Sequence, residues 1–235
     1  MLHRTYTKIN TLYKREKEGV LKNCIIPGDF SDTTTEYLKD CLWDCYEKVD
    51  GTNMSLYFDG HDINIHGKTE NAQISPKLLQ YMQSLVTVDQ LAEIFSVKYD
   101  ENGQEIPMVV RIYGEGFGGN IQKAASKYRP DGRFDFIVFD ISVNDKYLNR
   151  ESVENICGKL GLPMVPLIGT MTIPEAEEIV KRGFVSQVAE SDGFIAEGLV
   201  CRPVVPLLDE NGKRVIVKIK TCDYQQLENK KKMMK

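Results

Sequence analysis

A chain of 235 residues, 42% hydrophobic and 27% charged, has the make-up of an ordinary soluble globular protein and is long enough for one large domain or two small ones. Its net charge of -4 excludes a global nucleic-acid signature, so any polyanion site has to be a local basic patch. No apolar run approaches the roughly eighteen residues needed to cross a bilayer, and six cysteines without a CxxC pair, beside His3, His61 and His66, argue against a zinc site. With no signal peptide there is no case for a disulfide framework, and reduced thiols in a cytoplasm are the expectation.

After a polar opening segment, the stretch EKVDGTN places Lys48 between two carboxylates, Glu47 and Asp50, and follows it with Gly51, Thr52 and Asn53. Asp-Gly is a common turn pair, so the stretch reads as a surface turn unless the rest of the chain supplies partners for a reactive lysine. Asn53 to Phe58 and Asp62 to Lys68 alternate in character about Asp59-Gly60, which predicts a β-hairpin growing directly out of KVDG. Pro76 opens a helical stretch with Leu78, Met82 and Leu85 on one apolar face, continued by Leu91 and Phe95. Strand patterns return at Met108 to Tyr113 and at Phe134 to Ser142. Between them Gly114 to Gly119 matches GxGxxG ahead of a short helix at Ile121 to Lys127. Thr172 and Glu175 form a capping box, with Pro174 in the first turn and Gly183 closing the helix. Gly193 to Cys201 and Arg214 to Ile219 read as the last two strands, joined by a loop with Asn211-Gly212, and the tail lysines 230, 231, 232 and 235 read as a solvated charge run. Strands outnumber helices and follow one another mostly by hairpins, so the predicted class is α+β with antiparallel sheets.

Two readings of the glycines fail on context. A dinucleotide-binding loop needs a βαβ unit, but Pro130-Asp131-Gly132 breaks the following helix and no βαβ pattern precedes the strand. A kinase reading would enlist VIVK ending at Lys218, yet about a hundred residues separate it from the glycines and neither HRD nor DFG follows. More telling are charges embedded in strand patterns: Glu115, Glu197, Lys218 and Lys220. Period-two alternation puts Lys218 and Lys220 on one face of a strand and Val217 and Ile219 on the other. Like charges side by side are unfavourable unless an anion lies near them or the strand is a solvated edge. A phosphate accounts for the whole set. Repulsion from Lys218 and Lys220 would favour the neutral amine a Lys48 nucleophile needs, and the same cations would stabilise the phosphorus oxygens under attack. Glu115, Glu197 and Asp50 would accept ribose hydroxyls or ligate hydrated magnesium, and Gly51 would let the backbone approach the nucleotide.

With KVDGTN at 48 to 53, YGEGFGGNIQK at 113 to 123, DFIVFDI at 135 to 141, AEGLVCRP at 196 to 203 and VKIK at 217 to 220, the chain resembles the covalent nucleotidyltransferases, most closely the RNA ligase 2 branch. The resemblance implies an ATP-grasp-like ligase fold, antiparallel sheets flanked by helices with a nucleotide groove between them, forming a single nucleotidyltransferase domain over 1–235. It makes Lys48 the nucleophile that takes AMP from ATP and gives adenine recognition to Glu47. Base stacking falls to Phe139, ribose contact to Glu115, and metal binding to Glu197 with Glu115 and Asp50. Lys218 and Lys220 would hold the α-phosphate, and Lys68 stands where the family has a basic residue, usually arginine, that engages phosphate. Asp50 replaces the histidine of several RNA ligases, while Asn53 leans toward RNA ligases because DNA ligases and capping enzymes usually have arginine there. Related enzymes continue into a C-terminal domain, whereas this chain ends about fifteen residues after Lys220. It is therefore expected to be a minimal ligase or a catalytic domain cut from a longer protein, with a protein partner supplying the missing function.

The implied chemistry is ATP-dependent RNA ligation with Mg2+ or Mn2+: adenylylation of Lys48, transfer of AMP to an RNA 5′-phosphate, and sealing to a 3′-hydroxyl at a nicked duplex. A DNA ligase or a GTP-using capping enzyme is the alternative within the superfamily, and a binding module without catalysis the alternative outside it. Substrate contacts are expected at phosphates and ribose, with Lys123, Lys127 and Arg129 as candidates. The expected location is cytoplasmic, or the host cytoplasm for a viral protein, with no membrane role.

Overall fold

The computed structural model describes residues 6–69 and 72–234. In chain order its elements are β1 (Asn10–Thr11), β2 (Tyr13–Arg15), β3 (Ile25–Phe30), α1 (Thr33–Tyr37), β4 (Trp43–Lys48), β5 (Thr52–Phe58) and β6 (Ile63–Gly67). There follow α2 (Pro76–Gln83), α3 (Val88–Ile94), β7 (Lys98–Tyr99), β8 (Glu105–Ile106), β9 (Val110–Gly118), α4 (Ala125–Tyr128), β10 (Phe134–Val143) and β11 (Lys146–Tyr147). The chain closes with α5 (Arg150–Leu160), β12 (Leu167–Met171), α6 (Ile173–Arg182), β13 (Gly198–Pro203), β14 (Val217–Lys220) and α7 (Thr221–Met233). The class is mixed α+β with antiparallel sheets, as the strand pattern predicts.

The chain divides into two compact units. One, the hairpin unit, is built from Tyr6 and residues 50–165 around an antiparallel sheet of order β11-β10-β9-β5-β6. The predicted hairpin pairs β5 with β6, Phe58 opposite Ile63. Alternate residues on its strands, Met54, Leu56, Val110, Ile112, Phe136, Val138 and Ile141, make one buried face. Leu78, Met82, Leu91, Val153, Ile156 and Leu160 from the helices cover it. Full burial of each large apolar side chain contributes about 1.5–3 kcal/mol, so this face is the main stabilising element of the unit.

The glycine-rich segment is neither a loop nor a helix start: Gly114 and Gly116 lie inside β9, paired with both β5 and β10. A Cβ on Gly114 would sit 2.4 Å from the Phe136 ring and 2.5 Å from the Ile137 carbonyl oxygen. The glycine is there because β9 and β10 pack too closely for a side chain.

The lysine unit, residues 7–49 and 166–234, carries a sheet of order β1-β14-β13-β4-β12, antiparallel except where β1 runs parallel to β14. Its buried face is made by Trp43, Cys45, Leu199, Cys201, Val217 and Ile219, capped by Ile173, Ala176 and Val180 of α6 and by Tyr224 and Leu227 of α7. Helix α6 has the predicted Thr172–Glu175 capping box. Lys231 and Lys232 are exposed, as expected of a solvated charge run, and Lys235 lies outside the described residues; the described tail lysines are carried on α7. Arg15 clamps its first turn through both oxygens of Asp223 at 2.8 Å, and Tyr13 and Tyr224 hydroxyls donate to the buried Glu177. The penultimate strand is also shorter than expected, beginning at Gly198 and leaving 193–197 irregular apart from a single bridge between Val185 and Ile195. All six cysteines are free, and among the described residues no helix is long and apolar enough to cross a membrane.

Helix α5, not anticipated from the sequence, contains Gly158 at an exposed interior position where an added Cβ meets nothing within 4 Å. Gly158→Ala is expected to raise stability by about 0.5–1 kcal/mol. Gly114→Ala is expected to lower it by roughly 1–3 kcal/mol, the cost of forcing a methyl into packed strands. Urea midpoints for the two variants at unchanged slope check both signs.

Candidate active site

Strand β13 lies between β4 and β14, and its first residue, Gly198, is in register with Lys48 on one side and Lys220 on the other. Glu197, one residue earlier, is thereby delivered to both lysines. Its Oε2 accepts from Lys48 Nζ at 2.6 Å, and its Oε1 accepts from Lys220 Nζ at 2.6 Å. The three side chains are 21%, 15% and 27% exposed, shielded enough for the charges to matter and open enough for a ligand to reach them. Partial burial pulls the Lys220 ammonium pKa down, but the hydrogen bond and charge of Glu197 outweigh that and hold it above the ordinary lysine value. Lys218 alternates with buried Val217 and Ile219, so the period-two expectation for VKIK holds. Lys48 also meets a carboxylate: Glu197 stands between Lys48 and Lys220 and attracts both.

Glu47 has a different setting from Lys48. It is 1% exposed and accepts from the Ser186 hydroxyl and from the Gln187 backbone N–H at 2.7 Å. Burial pushes its carboxyl pKa up against the lowering pull of those hydrogen bonds and one from the Val188 backbone. Ser186 Oγ in turn accepts from the N–H groups of Val188 and Ala189 at 3.1 and 2.9 Å, so the 186–189 loop is wound about the residue next to the lysine. Nothing in the sequence flags Ser186, since neither serine of VSQVAESDG has a spacing to a motif.

In the hairpin unit the Asp50 N–H donates to the Tyr128 hydroxyl at 3.1 Å, and Gln122 Nε2 donates to the Gly51 carbonyl at 3.2 Å. A Cβ on Gly51 would fall 2.4 Å from the Gly116 carbonyl oxygen, so the approach of β9 is sufficient reason for this glycine, whatever binds nearby. Asn53 lies opposite Glu115 across β5 and β9, which puts the two on one face, away from the apolar core. Phe139 occupies the bulge where β10 slips register between Val138 and Asp140. Its ring is 4.9 Å from that of Tyr6, whose hydroxyl donates to Asp140 at 2.5 Å. Lys68 is exposed, one residue past β6.

Lys123 and Lys127 are exposed, as RNA contacts would need to be. Arg129 is part-buried and engaged within its unit. Its Nε and Nη2 donate to Asp135 Oδ2 at 2.9 and 2.5 Å, its Nη1 donates to the Tyr128 carbonyl at 2.7 Å, and its guanidinium lies 4.7 Å from the Phe117 ring centre. These contacts tie the end of α4 to β10. Among the described residues no group of three or more His, Cys, Asp or Glu side chains is placed to hold a metal by itself.

The RNA ligase family model matches residues 43–220, which include the first strand of the lysine pair and the last. Among solved structures, an apo aspartate-to-alanine variant of Naegleria gruberi RNA ligase is similar with a TM-score of 0.59 at 18% identity, over 84% of this chain and 54% of that one. A lysine-to-methionine variant of that ligase, solved with AMP and Mn, has a TM-score of 0.57 at 18% identity over the same shares. A lysine-to-alanine variant solved with ATP and Mn has a TM-score of 0.57 at 18% identity, over 97% of this chain and 63% of that one. The chain thus spans little more than half the length of the ligase it matches, and at this identity the likeness shows the shared fold. The family match runs from Trp43, five residues before Lys48, through Glu197 to Lys220, and on it the chain belongs to the RNA ligase family.

Proposed function

We propose that the chain is an ATP-dependent RNA ligase working through AMP bound covalently to Lys48. The observation that carries this reading is the single carboxylate of Glu197 joining Lys48 and Lys220 at 2.6 Å each. A lysine nucleophile must lose a proton before it attacks phosphorus, and Glu197 is already within hydrogen-bond reach of that proton. Once Glu197 is protonated or drawn away, Lys220 loses its local anion and turns to the phosphate oxygens, with Lys218 beside it on the same face. Attack by Lys48 Nζ on the α-phosphorus forms the P–N bond as the bond to the pyrophosphate oxygen breaks. Transfer of AMP to an RNA 5′-phosphate and its displacement by a 3′-hydroxyl are substitutions of the same kind. A nicked duplex is the proposed acceptor.

When it is ionised and not holding the Lys48 proton, Glu197 is the carboxylate we assign to a divalent cation, whose contribution would be to neutralise charge on the transferring phosphate oxygens. Glu47, clamped by Ser186 and Gln187, sets the course of β4 next to the nucleophile, and adenine recognition is proposed for it on the resemblance alone. In the hairpin unit the proposed roles are ribose contact for Glu115, base stacking for Phe139, phosphate contact for Lys68 and support from Asp50, Gly51 and Asn53. Naegleria gruberi RNA ligase has been solved with ATP, with AMP and with Mn, which supports the choice of cofactors. Cytoplasmic location and a partner protein remain part of the proposal.

Glu197→Gln keeps the size of the side chain and a hydrogen bond to one lysine but cannot take a proton. It is expected to slow formation of the AMP adduct by about 10²–10⁴-fold, the usual contribution of a general base. Lys48→Arg keeps the ion pair and the fold, and is expected to abolish sealing of a 5′-phosphorylated RNA nick in ATP. Sealing by that variant, or equal use of GTP by the parent protein, would contradict the assignment.

A further inference from the structure

The lysine unit has a second feature that the lysine pair does not explain. The edge of its sheet is formed by β1, which pairs with β14 so that Thr11 lies beside Lys218, and the Leu12 N–H donates to the Lys218 carbonyl at 3.0 Å. Along this edge runs a groove of about 1170 Å³. Its lining includes Lys218 and Lys220 together with Lys8, Lys14, Arg15 and Lys17. The groove therefore shares Lys220 with the bridge to Glu197.

Its lining carries six cations against four anions, Glu16, Glu18, Asp29 and Asp223, giving +2 on a chain whose net charge is -4. Two of the pairs cancel locally: Arg15 with Asp223 and Lys14 with Asp29 at 2.6 Å. Lys8 and Lys17 are exposed and make no ion pair among the described residues, so they are the cations with the least to give up on meeting an anion. Six cations on one lining suit a polyanion with several phosphates.

We propose that this groove seats the phosphodiester backbone of one RNA strand, led to Lys220 along the β1 edge, with Lys8 and Lys17 as its outer phosphate contacts. The proposal rests on the ligase reading for what happens at the Lys220 end, but not for the binding itself. Recognition is by charge and spacing, with no side chain assigned to base edges, as suits an enzyme that joins ends of any sequence.

The test is binding of a 5′-phosphorylated single-stranded RNA, without ATP, to the parent and to a Lys8→Ala, Lys17→Ala double variant over a range of salt. Each lost phosphate contact removes about 0.7 from the slope of log affinity against log salt on a single strand, so the double variant is expected to lose about 1.4. ATP-driven labelling of Lys48 is expected to proceed at the parent rate. An unchanged salt slope overturns the proposal. So does slower labelling of Lys48 with RNA binding intact, which would assign the groove to the phosphates of ATP. Failure of the ligase reading looks different: salt-dependent RNA binding lost in the double variant, in a parent protein that never forms a lysyl adduct.

Discussion

The hydrogen-bonded bridge from Lys48 through Glu197 to Lys220 is the interaction on which the rest of the lysine unit turns. Two ammonium groups and one carboxylate, each part-buried, would be costly if any one were missing. Breaking a buried ion pair by removing one partner typically costs about 3–5 kcal/mol, and these side chains retain enough solvent to bring the figure down. The arrangement is poised: Glu197 can yield its place to a phosphate without leaving the lysines unneutralised. Formation of the bridge demands that three strands arrive in one register. Gly198 faces Lys48 on β4 and Lys220 on β14, so a slip of one residue in either pairing would send one lysine to the opposite face of the sheet.

That register is enforced from the opposite side of the sheet. Trp43, Cys45, Leu199, Cys201, Val217 and Ile219 are nearly or fully buried, and the alternation turns Asp44, Lys218 and Lys220 beside them outward. The hydrophobic face thereby sets the chemical one. Glu47 is the exception on the buried side, a carboxylate in an apolar setting that Ser186 and Gln187 make tolerable by donating to it. Arg15 and Asp223 act at the far edge, where a bidentate pair ties the N-terminal strands to the start of α7 just after Lys220. In the hairpin unit the same logic operates through β9, whose glycines allow β5 and β10 to close on it and leave Asn53 and Glu115 on the face away from the core.

Much of this was legible in the sequence because it rests on local rules. The hairpin about Asp59-Gly60, the capping box at Thr172 and the outward lysines of VKIK follow from turn chemistry and periodicity. The glycines of YGEGFGG match GxGxxG in spacing alone, and only long-range pairing shows that close strand packing uses them here. The helix that carries the tail was not legible because its lysines dominate the composition, while Tyr224 and Leu227, which anchor α7, are only two residues in thirteen. Helix α5 carried its signals openly, with Asn149 as cap, Val153, Ile156, Cys157 and Leu160 in step, and Gly161 in the left-handed region at φ 67°. The residues that could not be read were those defined by partners far away in the chain. Ser186 has its role from Glu47, 139 residues earlier.

The account stands on Lys48 being the nucleophile, and the measurement that addresses it most directly is the mass of the intact protein before and after incubation with ATP and magnesium, with peptide mapping of any adduct. The account predicts one AMP per chain, carried on Lys48 and removed by added pyrophosphate. A chain that carries no AMP in either sample, or carries it on another residue, would contradict it.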